Sequence, residues 1–525
     1  MDGILNDEEK NRTEVVKVEV DSSSEKDQPQ PSSSRISRFL EKLRGYEDAL
    51  DRKLGVESHS IERKLPEQRN PFYARPSSQL TLFAFWAGSC TNLSTFVMGF
   101  LGWELGLGLG RNILVIVLGS VAGALVTSWC ATMGPPTGLR QVSICRYSLG
   151  WYPSKAIAVL NVFQQIGWCA SAAITGGQAL SAFADNKIGT GVGVVICCVA
   201  SLVFSLLGLK AVYQFLKFTW VVFIVIFLII LGETARFGDL ASPPSAVGAT
   251  GSGAALTLFS IMYGAGACCA GYASDYYVEY PVNISKVRVF VMTFLGLYVA
   301  DEHEGISTWV CAIPGAIVAS ALPNKPEWRA QYDAGIGFLV QEIVYPYGFA
   351  KVMLFLLMFT AVGVNGASMY SAGLSIQQAA RSLAVIPRFI WTLLCFAAII
   401  VLSLAGSDQL QVFLQNFLSM LGYYATAVFV CLLVEHYVFR RGSFDNYQLE
   451  AWNIPEMLPI GYAGGLAFVC GIVGAVLGMS TTWYTGVAAK LIGDLGGDIG
   501  NELCLTFTLA VYIPARLVER QLTGR

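Results

Sequence analysis

The sequence is poor in charge and almost without histidine. Of 525 residues only 14% are Asp, Glu, Lys or Arg, and three are His. A water-soluble chain carries roughly 25% charge. The shortage is uneven: residues 1–76 hold 30 of the 72 charged residues, and the other 449 share 42. A segment so thinly charged cannot present a hydrated exterior, so its solvent is expected to be lipid. The net charge of −2 supplies no basic footprint for a nucleic-acid partner. Catalytic signatures are missing as well. There is no HExxH, no P-loop and no GxSxG, and His59, His303 and His436 leave little for acid–base chemistry. The 13 cysteines form no CxxC and no Cys/His metal spacing, and they read as small buried apolar side chains. No enzyme, metal site or organic cofactor is expected. The first 30 residues lack an apolar core, so no signal peptide is expected.

Long apolar runs are what the chain has in abundance, at 54% hydrophobic residues. A bilayer crossing takes roughly 20 apolar residues. Candidates fall near 79–102, 112–134, 154–181, 190–209, 211–234, 254–278, 288–321, 347–372, 389–406, 409–434, 459–481 and 499–517. About twelve spans would place both termini on one side. With the charged tail in the cytoplasm, the inward loops and C-terminal end carry fourteen Lys/Arg against seven outside, which supports that orientation. The expected organisation is an acidic, disordered cytoplasmic tail (1–34), a cytoplasmic amphipathic helix and linker (35–76), an all-α integral membrane domain (77–517) and a short cytoplasmic C-terminus (518–525). The seventh run is broken by Asp301-Glu302-His303-Glu304. Four ionisable residues at mid-bilayer would cost several kcal/mol. A protein-lined break, an inserted segment, a gene-model artefact and a proton relay are the alternatives for that stretch.

A polytopic chain without a catalytic domain is most often a transporter, and two of its spans are unusual. The first carries Gly88-Ser89-Cys90-Thr91-Asn92-Leu93-Ser94-Thr95, and the sixth Tyr263-Gly264-Ala265-Gly266-Ala267-Cys268-Cys269-Ala270-Gly271. Small residues at mid-span permit close helix packing. They also suit helices broken at mid-membrane, where exposed backbone groups bind substrate and ion. The first and sixth of twelve spans correspond in two inverted five-helix repeats followed by two extra helices.

Several motifs carry a resemblance: PPTGLRQVSICRYSLG (135–150), NVFQQIGW (161–168), GYASDYYVEYP (271–281), IPRFIW (386–391), LPIGYAGG (458–465) and GGDIGNEL (496–503). The sequence resembles the fungal purine–cytosine permeases of the nucleobase–cation symporter-1 family, from about residue 50 to the end. The resemblance implies a LeuT-type fold with twelve spans, and proton-driven import of a flat heteroaromatic substrate across the plasma membrane by alternating access. The substrate would lie between spans 1, 3, 6 and 8. A branch of the family carries vitamin B6. A non-transporting receptor is the alternative from another class, and the oligomeric state is left open.

Residue by residue, the resemblance makes Trp168 the stacking platform, since an indole face recognises a flat ring without needing a charge. Ser94 and Thr95 match polar span-1 contacts, and Asn365 and Tyr370 match span-8 positions. Other positions depart. A second Trp of the relatives is Cys269 here, an amide is Ser368, and Ala172 stands where relatives often have Asn or Gln. Each hydrogen bond lost to a buried edge costs about 1–3 kcal/mol, so a pyridine vitamin or a specialised metabolite fits about as well as a nucleobase. Span 8 lacks the hydroxyl pair of sodium-coupled relatives: after Thr360 come Ala361 and Val362. Protons are therefore the expected coupling ion, with Asp275 and Glu279 as candidate carriers and Arg140 as their partner at an inner gate. Glu435, beside His436, Arg440 and Arg441, reads as a solvated interfacial acid.

Overall fold

The computed structural model describes residues 42–43, 45–46, 61–207, 209–241, 243–298 and 308–525. The chain divides into two units, Met1–Tyr46 and Glu47–Arg525. In the first, 42–43 and 45–46 are helical; the expected tail 1–34 and most of the amphipathic segment lie outside the described residues. So does the acidic stretch 301–304. The helical bundle belongs to the second unit.

Among the described residues the secondary structure is helical, with one isolated bridge between Ser480 and Thr485. This agrees with the composition, since in lipid a backbone must satisfy its own N–H and C=O groups and a helix does so within one segment. We label the main helices α1 (Pro76–Cys90), α2 (Leu93–Met98), α3 (Leu109–Ala131), α4 (Gln141–Ser148), α5 (Pro153–Phe183), α6 (Thr190–Leu206), α7 (Leu209–Thr234), α8 (Gly248–Ala267), α9 (Lys286–Tyr298), α10 (Thr308–Ala321), α11 (Pro326–Ala334), α12 (Ile336–Ile343), α13 (Tyr347–Ala379), α14 (Arg388–Gly406), α15 (Leu410–Val434), α16 (Tyr462–Gly478) and α17 (Gly500–Thr523). Seven helical stretches are long and apolar enough to cross a membrane on their own. The other five expected spans fall on short, interrupted or more polar helices, so length and composition alone do not establish a count of twelve. α17 runs on to Thr523, beyond the expected end of the membrane domain.

The longest helices, α5 and α13, pack side by side, α3 packs on α8, and α16 on α17. Glycine sets the closest approaches. A Cβ on Gly315 of α10 would stand 2.1 Å from the Phe96 carbonyl oxygen of α2, and one on Gly264 of α8 would stand 2.0 Å from that of Leu418 in α15. Backbone meets backbone at both crossings, which only a residue without a side chain permits.

Both ends of the bundle are laced by polar contacts. At one end the Tyr332 hydroxyl of α11 donates to Glu104 Oε1 (2.6 Å) and accepts from Gln411 Nε2 (3.0 Å), while its ring stacks on Phe100 at 4.8 Å. Burial raises the Glu104 carboxyl above its ordinary range, opposed by the Tyr332 hydrogen bond. At the other end residues 61–75 form a strap. Lys64 N–H donates to the Gly138 carbonyl (2.9 Å), Arg69 Nη1 to that of Pro135 (2.6 Å), and Asn70 N–H to Glu279 Oε2 (3.0 Å).

Glu435 departs from expectation. It is buried, not solvated. It pairs with Arg516 and with Arg440, each at 3.0 Å, and accepts from the Tyr512 hydroxyl at 3.1 Å. Arg516 is itself buried and also pairs with Glu519 at 3.0 Å. Removing one member of a buried pair strands the other's charge, at about 3–5 kcal/mol, whereas replacing both by apolar groups is often neutral. Glu435→Leu and Arg516→Met are each expected to lower the unfolding midpoint of the purified protein strongly, and the double variant to lose less than their sum. A strictly additive double variant would contradict this account.

Candidate functional site

The polar interior of the first span is a break. α1 ends at Cys90; Thr91 and Asn92 leave the helical region, at φ −86°, ψ 85° and φ −147°, ψ 166°, and α2 restarts at Leu93. Asn92 caps the new helix, its Oδ1 accepting from Thr95 N–H at 3.0 Å. The Thr95 hydroxyl donates back across the gap to the Cys90 carbonyl at 2.9 Å. The sixth span breaks too. α8 ends at Ala267 and gives way to two 3-10 turns, Cys268–Gly271 and Ala273–Tyr276. Side chains from neighbours take up the freed carbonyls: Thr127 Oγ1 donates to Gly266 (2.7 Å) and Gln164 Nε2 to Cys268 (3.0 Å).

A cavity of about 60 Å³ opens where the two breaks meet. α1 and α2 contribute Trp86, Ser89, Cys90, Thr95 and Met98, with Asn92 at the break. Trp168 comes from α5, Cys269, Tyr272 and Tyr276 from the sixth span, and Val364, Ala367 and Ser368 from α13. The lining carries hydroxyls, an amide and two thiols but no acidic or basic side chain. Its walls are aromatic. Trp168 donates its indole N–H to Cys268 Sγ at 3.3 Å and meets Phe417 edge-on at 6.1 Å. Trp86 lies nearly parallel to Tyr272 at 6.5 Å, and its indole N–H is fixed by the Tyr277 hydroxyl at 2.7 Å. A neutral planar guest with a few polar edge atoms suits such walls, since ring faces supply area and the hydroxyls and amide supply direction.

Of the expected substrate residues, Trp168, Thr95, Cys269 and Ser368 come together around this cavity, and Ser94, Asn365 and Tyr370 do not line it. Ser94 is buried and shares a hydrogen bond with Thr175 at 3.1 Å. Tyr370 lies under the Arg388 guanidinium, 4.8 Å from its ring centre. On α13 the cavity face is Val364, Ala367 and Ser368, at helical spacing; Asn365 is one residue off that face. It is fully buried, with neither end of its amide hydrogen bonded. The gate residues divide. Asp275 is buried, accepts from Gln141 N–H at 2.8 Å, and offers its backbone carbonyl to Arg140 Nη1 at 3.4 Å. Glu279 instead pairs with Lys64 of the strap at 3.2 Å. Sequence reasoning missed Trp86, Tyr272 and Tyr276. For Trp86 the available signal was its place one turn before Cys90 and the break.

The family profile described as permease for cytosine/purines, uracil, thiamine, allantoin matches residues 71–500. Purine-cytosine permease fcyB of Emericella nidulans is 31% identical over 479 residues, covering 90% of each chain. Vitamin B6 transporter TPN1 of Saccharomyces cerevisiae is 27% identical over 545 residues, covering 94% of this chain and 92% of its own. Among solved structures, Mhp1, a nucleobase-cation-symport-1 family transporter in a closed conformation with bromovinylhydantoin bound, matches at a TM-score of 0.62 and 14% identity, covering 89% of this chain and 96% of that one. A Na+-coupled sialic acid symporter matches at 0.55 and 13% identity, covering 91% and 98%. The fold is thus the LeuT-type transporter fold, with its broken first and sixth spans.

Of the 13 cysteines only Cys90 and Cys269 line the cavity. A small neutral thiol reagent is expected to block ligand binding, a bound ligand to protect against it, and Cys90→Ser/Cys269→Ser to resist it. Undiminished block in that double variant would place the reactive thiol, and the site, elsewhere.

Proposed function

Because this chain belongs to the family of permeases for cytosine/purines, uracil, thiamine and allantoin, a family of multi-pass membrane transporters and not of enzymes, we propose that it imports a neutral, flat heteroaromatic compound by alternating access, driven by protons. The observation that carries this reading is the charge-free, aromatic-walled cavity at the meeting point of both helix breaks. Nucleobases lead as substrates, because purine-cytosine permeases of two fungi are about 30% identical to this chain; a pyridine vitamin is the second reading, favoured by Cys269 and Ser368 in place of larger hydrogen-bonding or stacking groups. Trp168 stacks on the ring. Thr95, Ser368 and the broken backbone read its edge, and Trp86 supplies the second indole wall that Cys269 does not. Asn365 and Tyr370, one step removed from the lining, shape α13 behind it, and Ser94 tethers α2 to α5.

Protons are the proposed coupling ion because span 8, with Ala361 and Val362 after Thr360, lacks the hydroxyl pair that sodium-coupled relatives carry at that turn. Asp275 is the proposed proton carrier. It sits on the inner half of the broken sixth span and touches Arg140 and Gln141, so its protonation changes what holds that half against the loop before α4. Glu279 acts with it through Lys64. We place both termini in the cytoplasm and the protein in the plasma membrane, with twelve spans, on the bias of Lys and Arg between the two faces.

Uptake of radiolabelled cytosine, adenine, hypoxanthine and pyridoxine into cells lacking their own permeases tests the reading. One of them should accumulate, and an uncoupler should abolish the accumulation. Trp168→Ala is expected to lose uptake at least severalfold, since a buried aromatic pair is worth about 0.5–1.5 kcal/mol beyond its area, while the protein still reaches the membrane. Saturable binding without accumulation would favour a receptor. Asp275→Asn is expected to leave substrate binding intact and to make uptake insensitive to the proton gradient; unchanged proton dependence would remove Asp275 from the coupling path.

A further inference from the structure

A second cavity, of about 610 Å³, lies where α15 and α17 end, far larger than the one at the helix breaks. Five arginines line it, Arg440, Arg441, Arg516, Arg520 and Arg525, and Glu435 is the only acid among the lining. That carboxylate is already engaged, by Arg516 and Arg440 at 3.0 Å each, and Glu519 nearby is held by Arg516 at 3.0 Å. Arg441 and Arg520 are exposed, and among the described residues neither has a carboxylate within ion-pair distance. Arg520 lies 5.7 Å from the Phe439 ring centre. Arg441 is held in the left-handed region, at φ 54°, just past the wide final turn Glu435–Phe439 of α15, a conformation that costs a non-glycine residue energy. Basic side chains at helix C-termini offset the helix dipole. That gives Arg440 and Arg520 a role at the ends of their helices, but it does not account for Arg441, beyond its helix, or for five guanidinium groups gathered on one large cleft.

The rim decides what kind of anion fits. Of the apolar residues in its lining, Val438, just past α15, and Met457 are each about half exposed. In a membrane protein such side chains face acyl chains. A cleft cationic within and apolar along its lip is matched by an amphiphile with an anionic head; a free anion would have no use for the lip. Guanidinium groups bind phosphate oxygens in pairs, and basic pockets between spans at the cytoplasmic side take up anionic head groups. We propose that this cleft binds the phosphorylated head group of an anionic membrane lipid, with Arg441 and Arg520 as its charge contacts and the lip of Val438 and Met457 against its chains.

The test uses the purified full chain in nanodiscs of phosphatidylcholine alone or with phosphatidylserine or phosphatidylinositol 4-phosphate, read by thermal midpoint and by lipid retained in native mass spectrometry. Inorganic phosphate added to the phosphatidylcholine discs is the soluble arm. The phosphorylated lipid is expected to raise the midpoint and to remain bound. At about one charge contact's worth of attraction per arginine, Arg441→Gln/Arg520→Gln should weaken the binding about thirtyfold. Arg441→Lys/Arg520→Lys should keep much of it, and both variants should fold, since the two side chains are exposed. Equal midpoints in all discs, or an undiminished response in the Gln variant, would overturn the proposal. So would an equal shift from inorganic phosphate, which would make the site one for a soluble anion. An added peptide of residues 1–34 raising the midpoint where lipid does not would give the cleft to the chain's own acidic segment instead.

Discussion

Lipid offers a peptide group nothing to bond with, and that constraint governs this molecule. A helix that stays whole meets it without help. A helix that stops at mid-membrane must find a substitute for every bond it gives up. Here the substitutes are specific side chains. Asn92 takes the N–H of Thr95, and Thr95 covers the carbonyl of Cys90. Thr127 and Gln164 reach in from α3 and α5 to the carbonyls of Gly266 and Cys268. The breaks are therefore built features. They bring together, in one small volume, the polar groups that a transporter needs and a continuous bundle would bury.

The same constraint explains why the walls are aromatic. No charged side chain lines the cavity, and burying one without a partner at this depth would cost far more than a ring face gains. Direction must come from hydroxyls, amides and backbone, and affinity from stacking. Trp86 and Trp168 each have their indole N–H satisfied outside the guest, by Tyr277 and by Cys268. Their faces are thereby left free to act as surfaces, with no unpaired donor to compete for the ligand.

The breaks were legible because Gly, Ser, Thr and Asn in the middle of an apolar run have few other uses. Trp168, Thr95, Cys269 and Ser368 came from the resemblance, and all four line the cavity. Asn365 does not, because one residue along a helix turns a side chain by about 100°, and a motif match does not fix that rotation. Trp86 was missed for a related reason: its one signal is its place a turn before the break, and residues 82–87 around it are all apolar, so nothing there marks the face turned inward. Glu435 was misread because its partners Tyr512 and Arg516 lie 77 and 81 positions away in the chain. From its own neighbourhood it is an acid beside a basic loop; in the fold it is the centre of a buried charge network. Spacing along a sequence reports neighbours on one element, and these contacts join two.

The strap of residues 61–75 joins two parts that a rocking mechanism must move. Through Lys64 and Arg69 it holds the loop after α3, and through Lys64 and Asn70 it holds Glu279 beyond the sixth span. Any motion that parts those two elements has to loosen that seam. The strap is thus a short clasp, with these three hydrogen bonds and one ion pair joining two elements that are far apart in the chain, and its hold is only as strong as a few such contacts.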